Sequence, residues 1–150
     1  MKMIVLTGLV SIEKAQLAAD MAHYISTQGQ SVQVIDNIAR QALTKIVTDV
    51  QHVTRIEGDN LNNLIDSLAL VSADVVIVAV TEQAHPEKLF VALDNLQEQF
   101  DTWEIYTIAL IDTRTCDCFP NVRQALELYA DVSLMLPYDL DQVLNYVAIA

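Results

Sequence analysis

Met3-Ile4-Val5-Leu6-Thr7-Gly8, continued by Leu9-Val10-Ser11-Ile12-Glu13-Lys14-Ala15, decides how the rest of the chain is read. The apolar run reads as a buried strand, and Gly8 as the start of a tight connection. Ala15, Ala18, Met21, Ala22 and Ile25 then recur at helical spacing, so a long helix is expected to open near Glu13-Lys14 and to end at Gly29, where a left-handed residue suits a helix C-terminus. A strand that turns directly into a helix gathers free N–H groups and the positive end of a helix dipole at one point, which is an anion-binding geometry. Gly8 to Ala15 has the outline G-x-x-x-x-G-K-[ST], yet only Gly8 and Lys14 occupy their expected places.

Working outward, Ser31 to Asp36 reads as a second strand ending in a carboxylate. In an open parallel sheet that end faces the ligand edge, so Asp36 is either a site residue or the cap of the next segment. Ile38 to Val50 carries an apolar helical stripe. His52 to Ile56 is a strand candidate weakened by its polar residues, and Glu57-Gly58-Asp59-Asn60 is a turn before a helix marked by Leu61, Leu64, Ile65 and Leu68. Asp74 to Val80 is continuous and β-branched, the pattern of a central strand buried on both faces. Pro86 opens a helix that buries Leu89, Leu93, Leu96 and Phe100, and Ile105 to Ile111 is a further strand. Asp112 to Cys118 reads as a polar loop at the same sheet edge as Gly8 and Asp36. A helix striped by Val122, Ala125, Leu126 and Tyr129, a strand from Val132 to Leu136, a turn at Pro137-Tyr138-Asp139 and a closing helix complete the chain. This alternation predicts an α/β fold: a doubly wound, mostly parallel sheet with helices on both faces, formed by residues 1–150 as one domain.

Composition narrows the function. The net charge of −12, with only eight Lys and Arg, leaves no clustered basic face for nucleic acid or anionic lipid. No apolar run is long enough to cross a membrane, and the opening run is too short for a signal-peptide core, so a cytoplasmic protein without membrane insertion is expected. Cys116 and Cys118 are too close for a bridge between distant elements, and with His23, His52 and His85 dispersed they do not make a four-ligand metal site. No G-x-S-x-G elbow supports a nucleophilic triad.

Taken together, Gly8 and Lys14 at the first junction, Asp36 at the second strand end, Ser72 to Glu82, and Ala130 to Asp139 resemble the MinD/ParA-type P-loop ATPases, of SIMIBI type. The resemblance covers nearly the whole chain in the order of its elements, and it implies a three-layer P-loop NTPase-like sandwich. Active members of that family carry G-K-G-G-x-G-K-T, use ATP and Mg²⁺ at a dimer interface, and switch partners with nucleotide state. Laid on this chain, the signature lysine falls on Leu9, the inner glycines on Val10, Ser11 and Glu13, and the Mg²⁺-binding Thr on Ala15. Loss of the glycines removes the close approach of backbone to phosphate, and Ala15 removes a metal ligand. Glu13 beside a phosphate would cost roughly 4 kcal/mol at an effective dielectric near 20, while its charge suits the helix dipole. Lys14 is then a solvated first-turn lysine or a partner for Asp36 or Asp59. The base-contacting Asn of the family falls near Asp112, which lacks the amide's donor.

The resemblance and its departures imply a non-catalytic pseudo-ATPase with a degenerate Walker A loop and no cofactor. It would act through oligomer contacts with a protein partner, either another copy or an intact MinD/ParA-like ATPase. The alternative is a nucleotide- or anion-binding regulatory ATPase with a divergent loop, holding ATP and Mg²⁺ through Gly8, Ser11, Lys14, Asp36 and Asp112. A third reading is an unrelated doubly wound domain, such as a flavodoxin-like regulator, that makes no use of Lys14.

Overall fold

The computed structural model describes residues 1–39, 53–58 and 60–147. Six strands form one sheet: β1 (Lys2–Thr7), β2 (Val32–Asp36), β3 (Val53–Arg55), β4 (Val75–Ala79), β5 (Glu104–Ile111) and β6 (Val132–Met135). Their order is β3-β2-β4-β1-β5-β6 and every pairing is parallel. The helices are α1 (Ser11–Thr27), α2 (Leu61–Leu68), α3 (Pro86–Gln99), α4 (Thr113–Cys118), α5 (Pro120–Tyr129) and α6 (Leu140–Tyr146). The architecture is therefore the expected doubly wound α/β sandwich with a P-loop NTPase-like layout.

Alternation along the strands builds two cores. Ile4, Leu6, Val34, Ile77, Ala79, Ile108 and Leu110 point to one face, where they pack with Leu17, Met21 and Ile25 of α1 and Val143 and Leu144 of α6. Met3, Val5, Ile35, Val76 and Val78 point to the other, against Leu64 and Leu68 of α2 and Leu89, Phe90, Leu93 and Leu96 of α3. Every residue of β4 is buried, as its β-branched run requires of a strand covered on both faces. Gly29 ends α1 at φ +82°, the left-handed cap anticipated from its position.

Three local readings change. The helix after the first strand begins at Ser11, slightly earlier than the expected opening near Glu13-Lys14, because no glycine follows Gly8 to keep Ser11, Ile12 and Glu13 out of helical geometry. The segment Thr113–Cys118 is a short helix rather than a loop; nothing between Asp112 and Pro120 breaks it. Among the described residues the polar strand is Val53–Arg55, without Ile56, and its polar residues are accommodated because it pairs with β2 alone among the described strands and keeps Thr54 exposed. The helix expected over Ile38 to Val50 falls mostly on residues 40–52, outside the described residues, as does Asp59.

Connections from the neighbouring strands β1 and β4 leave in opposite directions. The chain passes from β1 through α1 to β2 on one side, and from β4 through α3 across β1 to β5 on the other. The carboxyl ends of β1 and β4 thus flank a topological switch point, the position where open α/β sheets bind ligands.

Candidate functional site

Gly8, at the end of β1, has φ +127°, and a Cβ there would run into the carbonyl oxygen of Leu110 in β5. Only glycine fits, so close packing of two strand ends is enough to require it, whatever else binds nearby. Two residues later Val10 precedes α1 without a side-chain cap, and the first helical turn is Ser11-Ile12-Glu13-Lys14. The segment that would wrap a phosphate as an open loop is a helical turn here.

Lys14 is not solvated; it has no exposed surface at all. Its ammonium donates to the carbonyl oxygens of Gly8 at 2.8 Å and Val80 at 2.6 Å, tying the end of β1 to the end of β4. Its charge partner is Glu82, with Oε1 at 3.4 Å, rather than Asp36. Two of its three N–H donors go to the carbonyls, and at 3.4 Å Lys14 meets Oε1 as an ion pair; that buried oxygen has no hydrogen-bond partner of good geometry among the described residues. The Ser11 hydroxyl also bonds the Glu82 carboxylate, so a negative group sits over the N-terminus of α1.

Electrostatics follow this packing. Burial lowers the Lys14 pKa from 10.5 to about 8 against the opposing pull of Glu82, which leaves the amine protonated at neutral pH. For Glu82, burial pushes upward, but the Lys14 charge and the bonds from Ser11, its own backbone and Lys14 outweigh it and hold the carboxyl below its usual range. The site is an ion pair with its cation fully enclosed.

Asp36 lies two strands from Gly8 on the same edge. Its Oδ1 accepts from Arg55 Nη1 at 3.0 Å and from the Ile38 N–H at 3.1 Å, while its buried Oδ2 has no hydrogen-bond partner among the described residues. Arg55 also donates to the Ile38 carbonyl and, through Nε, to Glu57 at 2.9 Å. Burial raises the Asp36 pKa despite these donors. Between the two clusters stands Asn37, which the sequence reading passed over. Its amide donates to Ile56 O at 2.8 Å and Gly58 O at 3.0 Å, and its Oδ1 accepts from the Thr81 N–H at 3.0 Å. One side chain thereby fixes the turn that carries Glu82.

The structure brings Gly8, Ser11 and Lys14 into one cluster and leaves Asp36 in another. Asp112 follows β5 at the same edge, on the far side of β1. Glu82 was missed as a site residue; the signal for it was its place three residues past the β1-adjacent strand β4, at the end of the Ser72–Glu82 stretch. Among the described residues no group of three or more His, Cys, Asp or Glu is placed to hold a metal ion, and no helix is long and apolar enough to cross a membrane.

No family model and no curated protein matches this sequence. Solved structures do match it in fold. The Signal Recognition Particle 54 kDa protein from Aeropyrum pernix K1, in complex with GDP, superposes with a TM-score of 0.61 at 14% identity over 98% of this chain and 38% of its own. The signal recognition particle receptor FtsY from Elizabethkingia anophelis, also with GDP, gives 0.57 at 16% identity over 89% of this chain and 47% of its own. FlhF complexed with GMPPNP and Mg²⁺ gives 0.56 at 15% identity, over 99% of this chain and 62% of its own. This chain therefore spans less than two thirds of the length of each, and at such identities the likeness is one of fold: a P-loop NTPase-like α/β sandwich.

Proposed function

We propose that this chain is a non-catalytic, MinD/ParA-like interaction protein, a pseudo-ATPase that keeps the scaffold of a P-loop NTPase and acts through homo- or hetero-oligomer contacts. The observation that carries this reading is the fate of Lys14. In a phosphate-binding loop the lysine reaches outward to phosphate oxygens; here two of its three donors go to Gly8 O and Val80 O, and its charge is paired with Glu82. The residues around it do not fit a Mg²⁺–nucleotide. Gly8 is the sole glycine of the junction, α1 starts at Ser11 in place of an open loop, and Ala15 is buried without a hydroxyl to offer a metal. A phosphate approaching this junction meets the Glu82 carboxylate first, and like charges at short range repel strongly in a partly buried site.

The competing reading, a nucleotide- or anion-binding regulator using Lys14, draws on the same placement of a buried cation below an uncapped helix N-terminus at a switch point. Calorimetric titration of the full chain with ATP and with GTP, each with Mg²⁺, separates the two. The pseudo-ATPase reading expects no binding heat up to about millimolar nucleotide, equivalent to less than about 4 kcal/mol of affinity. Micromolar binding would sink it. Sedimentation of the chain alone then distinguishes contacts with a second copy from contacts with a different protein.

A further inference from the structure

The Lys14–Glu82 pair is asymmetric in its access to solvent. The Lys14 side chain has no exposed surface, whereas that of Glu82 retains 15%. The carboxylate is therefore the solvent-facing member of the pair. The turn carrying Glu82 is held from below, since Thr81 N–H bonds Asn37, the Ala84 N–H bonds Thr81 O at 3.2 Å, and the Gln83 N–H bonds Thr81 Oγ1 at 3.3 Å. Among the described residues, Glu82 itself is held by its contacts with Ser11 and Lys14 and by its own backbone N–H. Its Oε1 is buried, 3.4 Å from the Lys14 ammonium, and has no hydrogen-bond partner of good geometry among the described residues, so the ion pair is what holds it.

We propose that Glu82 is an intramolecular ligand whose carboxylate holds an anion site shut, so that a phosphate-bearing small molecule reaches Lys14 only by displacing it. The inference rests on the pseudo-ATPase reading and adds to it a reason for the silence of the site. An enclosed ammonium requires a counter-charge, because breaking a buried pair leaves an uncompensated ion. Glu82 supplies that charge from within the chain at very high effective concentration, against which a free anion competes poorly. Remove the carboxylate and the same requirement recruits an anion from solution. The ligand chemistry is a compact, multiply charged phosphate oxyanion, and inorganic pyrophosphate and Mg²⁺–ATP are its two sources to be told apart.

The test is calorimetric titration of inorganic pyrophosphate, and separately of Mg²⁺–ATP, into wild type, Glu82→Ala, Glu82→Gln and Glu82→Gln/Lys14→Met. Glu82→Gln keeps the side-chain volume and guards against a folding failure of the alanine variant. Pyrophosphate is expected to bind the Glu82 variants at least about tenfold more tightly than wild type, and the gain to vanish in the double variant. Binding of ATP with the same gain would mean that the site also admits a nucleotide, and binding of pyrophosphate alone would restrict it to the small anion; either supports the inference. If neither single variant binds better than a silent wild type, the inference fails while the pseudo-ATPase reading stands. Micromolar binding of Mg²⁺–ATP by wild type itself would overturn both.

Discussion

Two buried charges sit on the same sheet edge, and they are treated differently. Lys14, between β1 and β4, has two carbonyl acceptors and a carboxylate partner. Asp36, between β2 and β3, has its Oδ1 filled by Arg55 and the Ile38 N–H, while its Oδ2 has no hydrogen-bond partner among the described residues. Both have no exposed surface. Burial alone therefore does not separate a binding group from a structural one; the number of satisfied atoms does. Lys14 is the tie that closes the switch point. Asp36 is a half-satisfied carboxylate whose burial raises its pKa, so it has the option of neutralising when its partner is lost.

That contrast predicts unequal costs. Lys14→Ala leaves Gly8 O and Val80 O without their donor and Glu82 without its counter-charge, and is expected to cost about 4 kcal/mol in denaturant unfolding. A loss under about 1 kcal/mol would mean that the tie is not made in solution. Asn37→Ala removes three hydrogen bonds that join the ends of β2, β3 and β4, and should cost about 2 kcal/mol by the same measurement. A smaller loss is expected from Arg55→Met, about 1 to 2 kcal/mol, because Arg55 is partly solvated and Asp36 is able to take up a proton. NMR titration of the Asp36 carboxyl in that variant should show its pKa moving further upward, and an unchanged value would break the assigned pairing.

The smallest effect is one of pH. The unfolded chain keeps the Lys14 proton up to about pH 10.5, whereas the folded chain releases it near 8. In that window the unfolded state binds more protons, so the Lys14 contribution makes stability rise with pH. Between about pH 8 and 9 the gain is about 1 kcal/mol, and Lys14→Met should abolish it. The neutral amine still has two N–H donors, so the bonds to Gly8 O and Val80 O survive deprotonation.

Much of the fold was legible because it rests on local periodicity. The unbroken run Val75–Ala79 announced a central strand, the Ala18-Met21-Ala22-Ile25 spacing announced α1, and Gly29 its end. Gly8 and Lys14 were singled out at the first junction as the two residues in their expected places. What they touch was not legible, since Val80 and Glu82 follow β4 and Leu110 lies in β5, all far along the chain, and only the sheet order brings them together. The early start of α1 was obscured by reading the junction as a loop with substitutions; without its glycines the same stretch folds as helix. Asn37 was overlooked beside its charged neighbour, although an amide with both donors and an acceptor is better suited than a carboxylate to clamp three strand ends.

The central claim is that Lys14 is a structural cation, and its side-chain nitrogen reports on it directly. With only four lysines in the chain, at positions 2, 14, 45 and 88, ¹⁵N-lysine labelling allows the Lys14 Nζ signal to be assigned by substitution and followed by NMR. The account predicts a slowly exchanging ammonium that titrates near pH 8 and whose resonance does not move when millimolar Mg²⁺–ATP is added. A rapidly exchanging amine titrating near 10.5, with a resonance that moves on nucleotide addition, would contradict it.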